Sequence, residues 1–187
     1  MPPRQIGTEA EDLIRNLLQS MATKTSLDQV HPIEQVDDNP DFLVQGDTSK
    51  YAYLFEVKND FRRLRPDGSP TYGNSYDAYG ICNKNWNVNR FPLRGSGRNV
   101  KQGTSTTWVV NYVTVTKKII KAMIGTYPSY DEEAWNALVS QFGNNLIWAG
   151  HGIIPPGLVG PEDQACQDET LTTLSRALKQ FLVSNES

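Results

Sequence analysis

Apolar and polar positions alternate along this chain with two distinct periods. Leu13, Ile14, Leu17, Leu18 and Met21 recur every three or four residues, which predicts an amphipathic helix opening at Thr8-Glu9-Ala10-Glu11 and running to about Ser20. The stretch from Ser26 to Ile33 suits a short first strand. Two apolar runs follow, predicting paired strands at about 41–45 and 51–58 across the turn Gln45-Gly46-Asp47-Thr48-Ser49-Lys50. Trp108, Val109, Tyr112, Val113, Ile119, Ile120 and Met123 recur at helical spacing, yet Trp108–Val115 is β-branched enough for a strand, and both readings stand. A helix is expected from Asp131-Glu132-Glu133 to about Phe142, then a buried strand at Asn145–Ala149 around Leu146, Ile147 and Trp148. Pro155-Pro156-Gly157 breaks the chain before a last amphipathic helix carrying Leu171, Leu174, Leu178 and Leu182. The pattern is that of a single α/β domain, a central mixed sheet flanked by helices, with no internal repeat.

The chemistry sits at the ends of the paired strands. Asp41 opens the run Asp41-Phe42-Leu43-Val44, and Glu56 and Lys58 close the run Tyr53-Leu54-Phe55-Glu56-Val57-Lys58. Strand side chains alternate between faces, so Glu56 and Lys58 share one face while Phe55 and Val57 take the other. Pairing of the two runs brings Asp41 beside them. Two carboxylates suit Mg²⁺, which binds one or two protein carboxylates and keeps several waters. A neighbouring lysine can then orient, or help deprotonate, a metal-bound water that attacks phosphorus.

Pro40-Asp41 and Glu56-Val57-Lys58 resemble the signature of the PD-(D/E)XK nucleases, the superfamily of most type II restriction endonucleases and archaeal Holliday-junction resolvases. Each half lies on an apolar run with strand spacing, and the fourteen residues between Asp41 and Glu56 suit a hairpin. Pro66-Asp67-Gly68 is a decoy, a plain turn with no apolar run and no Glu-x-Lys after it. The resemblance covers about residues 7–58 and implies a restriction-endonuclease-like core and a Mg²⁺-dependent endonuclease, with Mn²⁺ able to substitute. Asp41 and Glu56 would hold the metal and Lys58 would position the attacking water. It further implies a homodimer on double-stranded DNA, 5′-phosphate products, and a cytoplasmic protein encoded by a prokaryote or phage. Gly7 and Glu11 match the resolvase spacing for an additional site carboxylate on the first helix. Glu11 also reads as the partner of Thr8 in a capping box, and Glu9 flanks the same apolar stripe. His31 stands ten residues before Asp41. An upstream His is a metal ligand in cap-snatching endonucleases, which this chain does not otherwise resemble. A junction resolvase, homing or repair nuclease is the alternative within the superfamily, and a non-catalytic nucleic-acid-binding protein on a nuclease-like fold the alternative outside it.

Charge sharpens the picture. The 187 residues carry a net charge of −3, but Lys58–Lys121 holds twelve Lys or Arg against Asp60, Asp67 and Asp77, a local +9. The rest of the chain holds six basic and eighteen acidic residues, a balance of −12. Such asymmetry predicts one phosphate-facing surface on an acidic body. The polar insert at about 59–104 would carry it, since a structureless loop of that length is unusual unless it binds something. Arg62, Arg63, Arg65, Arg94, Arg98 and Lys101 are the phosphate-contact candidates. Asn83, Asn85, Asn87 and Asn89 alternate with Lys84, Trp86, Val88 and Arg90. As an extended ribbon this would aim amides at base edges and cations at phosphate; the alternative is an Asn-rich turn cluster, since Asn is depleted from strands. The two cysteines, Cys82 and Cys166, lack metal-ligand spacing and suit a reducing cytosol. No apolar span long enough for a membrane and no signal peptide stands out, so a soluble intracellular protein is expected.

Overall fold

The structure is a computed structural model that describes residues 3–36, 38–58, 77–125, 132–148 and 161–187, with the backbone alone at 3–10 and 161–167. A five-stranded mixed sheet forms its centre. Helix α1 (Pro3–Ala22) leads into strands β1 (Gln29–Pro32), β2 (Phe42–Gln45) and β3 (Tyr51–Lys58), which pair antiparallel in sequence order. An insert follows, comprising helix α2 (Ala78–Cys82) and strands β4 (Arg90–Pro92), β5 (Arg98–Gln102), β6 (Ser105–Val109) and β7 (Tyr112–Thr114). The chain returns as β8 (Lys118–Gly125), parallel to β3, then passes through α3 (Glu132–Phe142) to β9 (Leu146–Trp148), parallel to β8. Helix α4 (Pro161–Glu186) closes the domain. The sheet order is β1-β2-β3-β8-β9.

Strand β3 is central because its residues are apolar on both faces, as a strand covered on both sides requires. Tyr53, Phe55 and Val57 meet Ile14 and Leu18 of α1 and Leu174, Leu178 and Phe181 of α4. Ala52 and Leu54 turn the other way, toward Leu138 and Phe142 of α3 and Ile81, Trp86 and Phe91 of the insert. Glu56 and Lys58 belong by parity to this second face. Gly46 closes the β2–β3 turn where a β-carbon would collide with the carbonyl oxygen of Ser26, so the turn packs against the entry to β1 through bare backbone.

The structure decides three readings of the sequence. Asn83–Arg90 is not an extended ribbon. Asn83 caps the end of α2, its side-chain amide donating to the Tyr79 carbonyl at 2.9 Å, and a turn follows. Trp86 decides this outcome. Its ring is buried edge-on to Phe142 at 5.6 Å and its indole N–H donates to the Ile81 carbonyl at 2.9 Å, so burying one large aromatic outweighs the alternation around it. Helix α1 begins at Pro3, which places Thr8 inside the helix and removes the capping box. Of the two readings open for Trp108–Val115 the strand holds in two pieces, Trp108 and Val109 ending β6 and Tyr112–Thr114 forming β7, while Ile119–Met123 lie in β8 beside β3. Residues 59–76, with Arg62, Arg63, Arg65 and the Pro66 turn, lie outside the described residues, as do His151 and Pro155-Pro156-Gly157.

Candidate active site

Asp41 sits one residue before β2, whose first residue, Phe42, pairs with Phe55 of β3, next to Glu56. Its backbone N–H donates to the Phe55 carbonyl at 2.9 Å, and its Oδ2 accepts from the Val57 N–H at 2.7 Å. The carboxylate is thus fixed by the backbone of the strand that carries Glu56. Pro40 and Asn39 before it are buried, and Asp38 takes a left-handed φ of 56°, a conformation that Asp tolerates better than most residues and that aims the turn into the sheet.

Glu56 is 1 % exposed and touches two lysines. Lys58 Nζ lies 2.9 Å from Oε1, and Lys84 Nζ lies 3.3 Å from Oε2. The Lys84 contact is close enough for an ion pair but off the hydrogen-bonding direction, so Oε2 is buried without a hydrogen bond. Lys84 instead donates to the Asn39 carbonyl at 3.2 Å. The neighbouring Asn85 side chain donates to the Asn39 side-chain oxygen at 3.0 Å, clamping the turn that leads to Asp41. On α1, Glu11 accepts from Arg94 at 2.9 Å, while Arg94 Nη2 stands 3.9 Å from Asp41 Oδ1 without a hydrogen bond.

Three carboxylates and three cations therefore converge from four parts of the chain. Burial is the main force raising Asp41 well above the ordinary carboxylate range, and the charges of Glu56 and Glu11 add to it. Glu11 is raised as well, first by burial, with Arg94 opposing and Glu56 reinforcing the shift. Burial alone would lower Lys58, but Glu56 and then Asp41 and Glu11 hold it above its usual value, so it is an ammonium. A protonated Lys58 can orient and donate. It cannot serve as a free base.

Among the described residues no group of three or more His, Cys, Asp and Glu is arranged to hold a metal ion. A magnesium site needs fewer protein ligands, one or two carboxylates with water completing the octahedron. Asp41 and Glu56 fit that requirement: the charge of Glu56 acts on Asp41, and one oxygen of Glu56 makes no hydrogen bond.

The structure brings Asp41, Glu56, Lys58 and Glu11 close enough to act on one another electrostatically. Lys84 is a member of the cluster that sequence reasoning does not find. It reads there as one cation of a ribbon, and no local signal ties it to a strand residue twenty-eight positions earlier. Arg94 reads from sequence as a phosphate contact, whereas its guanidinium is committed to Glu11. Of the remaining candidates, Asn83, Asn87, Arg90, Arg98 and Lys101 are at the surface. His31 lies on β1, its pKa lowered by burial, opposite Leu43 rather than Asp41. No family model, no curated protein and no solved structure matches this chain.

Proposed function

We propose that this chain is a Mg²⁺-dependent endodeoxyribonuclease on the PD-(D/E)XK plan, of the sequence-specific restriction type, acting on double-stranded DNA as a homodimer. The observation that carries this reading is the Asp41 carboxylate held by the Val57 N–H, between Glu56 and Lys58 on β3. The order helix, three-stranded antiparallel meander and added parallel strand is compatible with a restriction-endonuclease-like core. Asp41 and Glu56 would hold the ion, which supplies Lewis-acid polarisation of the phosphodiester and a more acidic water. The chain's own residues do the rest. Lys58, as an ammonium, orients the attacking water and donates to charge developing on the phosphoryl oxygens. Lys84 holds Glu56 and the Asn39 turn, fixing both carboxylates against the sheet. Arg94 anchors Glu11 and lends positive potential to Asp41. Duplex strands run antiparallel, so two chains about a two-fold axis present one such site to each strand.

A second reading, a nucleic-acid binder without catalysis, is favoured by one observation: three cations already oppose the three carboxylates, so the cluster is neutral without metal. Purified protein incubated with supercoiled plasmid separates the two. Cleavage in Mg²⁺, abolished by EDTA and by Glu56→Ala, is the expected result, with discrete bands for a restriction activity and a smear for a repair-type nuclease. An intact plasmid in both Mg²⁺ and Mn²⁺, or a Glu56→Ala variant that cuts normally, would overturn the catalytic reading.

A further inference from the structure

A cleft of about 690 Å³ opens beside the Asn39 turn, with one carboxylate in its wall, Glu34, whose Oε2 accepts from the Gly95 N–H at 3.2 Å. Trp108, Tyr112, Arg90, Val88, Asn39 and Asn85 contribute to its wall. Trp108 is 63 % exposed, unusual for so large an apolar ring. One face of the indole is nevertheless pinned. A β-carbon on Gly97 would run into its six-membered ring, so the ring lies against bare backbone and turns its other face outward. Tyr112, half exposed, is held in turn by the Arg90 guanidinium stacked 3.9 Å from its ring centre. The result is a rigid aromatic shelf with a cation at its edge.

The shelf is tied to the proposed chemistry. Asn39 lies in the cleft wall two residues before Asp41, and its carbonyl accepts from Lys84, the lysine that contacts Glu56. Lys101 stands exposed on β5 two residues from Asn99, which pairs with Trp108, so by strand parity Lys101 shares the Trp108 face of the hairpin and Arg98 takes the other. An aromatic face, amide groups at the rim and flanking cations fit one ligand chemistry: a nucleobase outside the helical stack, with the phosphates on either side of it. A paired duplex base has its faces covered by its neighbours and cannot lie on such a shelf.

We infer that this cleft binds an unstacked nucleobase on Trp108, next to the phosphodiester handled by Asp41 and Glu56, so that the substrate is DNA with a base out of the stack. The inference rests on the nuclease reading. It makes Trp108 a specificity-determining residue.

The test is competition binding in Ca²⁺, an ion that often supports binding without turnover, using three DNAs of the same sequence: a full duplex, a duplex with a one-base bulge, and a single strand. The bulged duplex should compete roughly tenfold better than the paired one, the scale of stacking one base on one ring. Trp108→Ala should bring the two within about twofold of each other, whereas Trp108→Phe, which keeps an aromatic face, should preserve most of the preference. Gly97→Ala, which dislodges the ring without removing it, should behave like Trp108→Ala. A single strand that competes like the bulge identifies single-stranded DNA as the source of the base, and a poor one identifies an extrahelical base in a duplex. Equal competition by paired and bulged DNA, or a Trp108→Ala variant weakened for all three alike, overturns the inference. If plasmid is still cut in that case, only this inference falls. If no DNA is bound or cut, the nuclease reading falls with it.

Discussion

Asp41 is held at a cost to the fold. Its carboxyl is buried, faces two other carboxylates, and is accordingly raised well above the usual Asp range. A raised folded-state pKa means that the native state binds the proton more tightly than the unfolded chain does. Stability from this group is therefore full below the unfolded pKa and is lost as pH rises through the folded one. Asp41→Asn removes the titration and keeps an oxygen able to accept from the Val57 N–H. Without metal, this variant should be more stable than the native chain by roughly 0.5–2 kcal/mol near neutral pH, a common scale for relieving a strained functional position. The difference should shrink as pH falls through the raised folded-state pKa toward the unfolded one. Chemical denaturation at pH 5 and pH 7.5 in EDTA checks this, and a variant no more stable at pH 7.5 would show that the three nearby cations already compensate the charge. The same site should take up Mg²⁺ more tightly as pH rises, because the ion must displace a proton.

At the scale of elements, the insert between β3 and β8 is the feature that decides what the sheet can do. It is anchored through α2 and Trp86 against Phe142 of α3, and through Phe91 of β4 in the same cluster. The anchoring places Lys84 and Asn85 on the turn before Asp41. Trp86→Ala should cost about 3–5 kcal/mol, as for other large aromatics truncated in a core. Its effect should not stop at stability. Once the anchor loosens, Lys84 leaves its station, so cleavage under conditions where the variant is still folded should fall by at least about tenfold, the rate equivalent of roughly 1.4 kcal/mol in the barrier. Calorimetry together with plasmid cleavage tests both halves, and a destabilised variant with native activity would show that the insert does not position the site. An exposed ribbon does exist in the insert, but it is the β5–β6 hairpin rather than Asn83–Arg90.

At the scale of the whole molecule, the charge division found in the sequence meets a partly different surface. Arg94 and Lys84 from the basic window are consumed inside the carboxylate cluster. Arg98 and Lys101 remain exposed on the hairpin. Neutralising both should weaken binding to all DNA sequences and reduce the salt dependence by about 0.9 units of slope for each phosphate that is no longer neutralised, close to two for the pair. Affinity measured across a series of salt concentrations decides it, and an unchanged slope would place the phosphates elsewhere on the chain.

Local pattern alone determined a good part of this protein. The apolar runs marked β2 and β3, the parity of Glu56 and Lys58 set them on one face, and the spacing of Leu13, Ile14, Leu17 and Leu18 marked the buried stripe of α1. These features follow from backbone periods of two and 3.6 and need no distant partner. Asp41 beside Glu56 and Lys58 was legible for the same reason, because a short turn between two apolar runs brings the start of one against the end of the next. Only the tertiary structure decided the rest. The alternation of Asn83–Arg90 is a local signal for a strand, but the burial of Trp86 against α3, more than fifty residues away in the chain, overrode it. Lys84 and Arg94 carry nothing in their neighbourhoods that announces an ion pair with Glu56 or Glu11. Their roles arise where long-range packing removes charges from water, and a buried carboxylate then takes whichever cation the fold brings within reach.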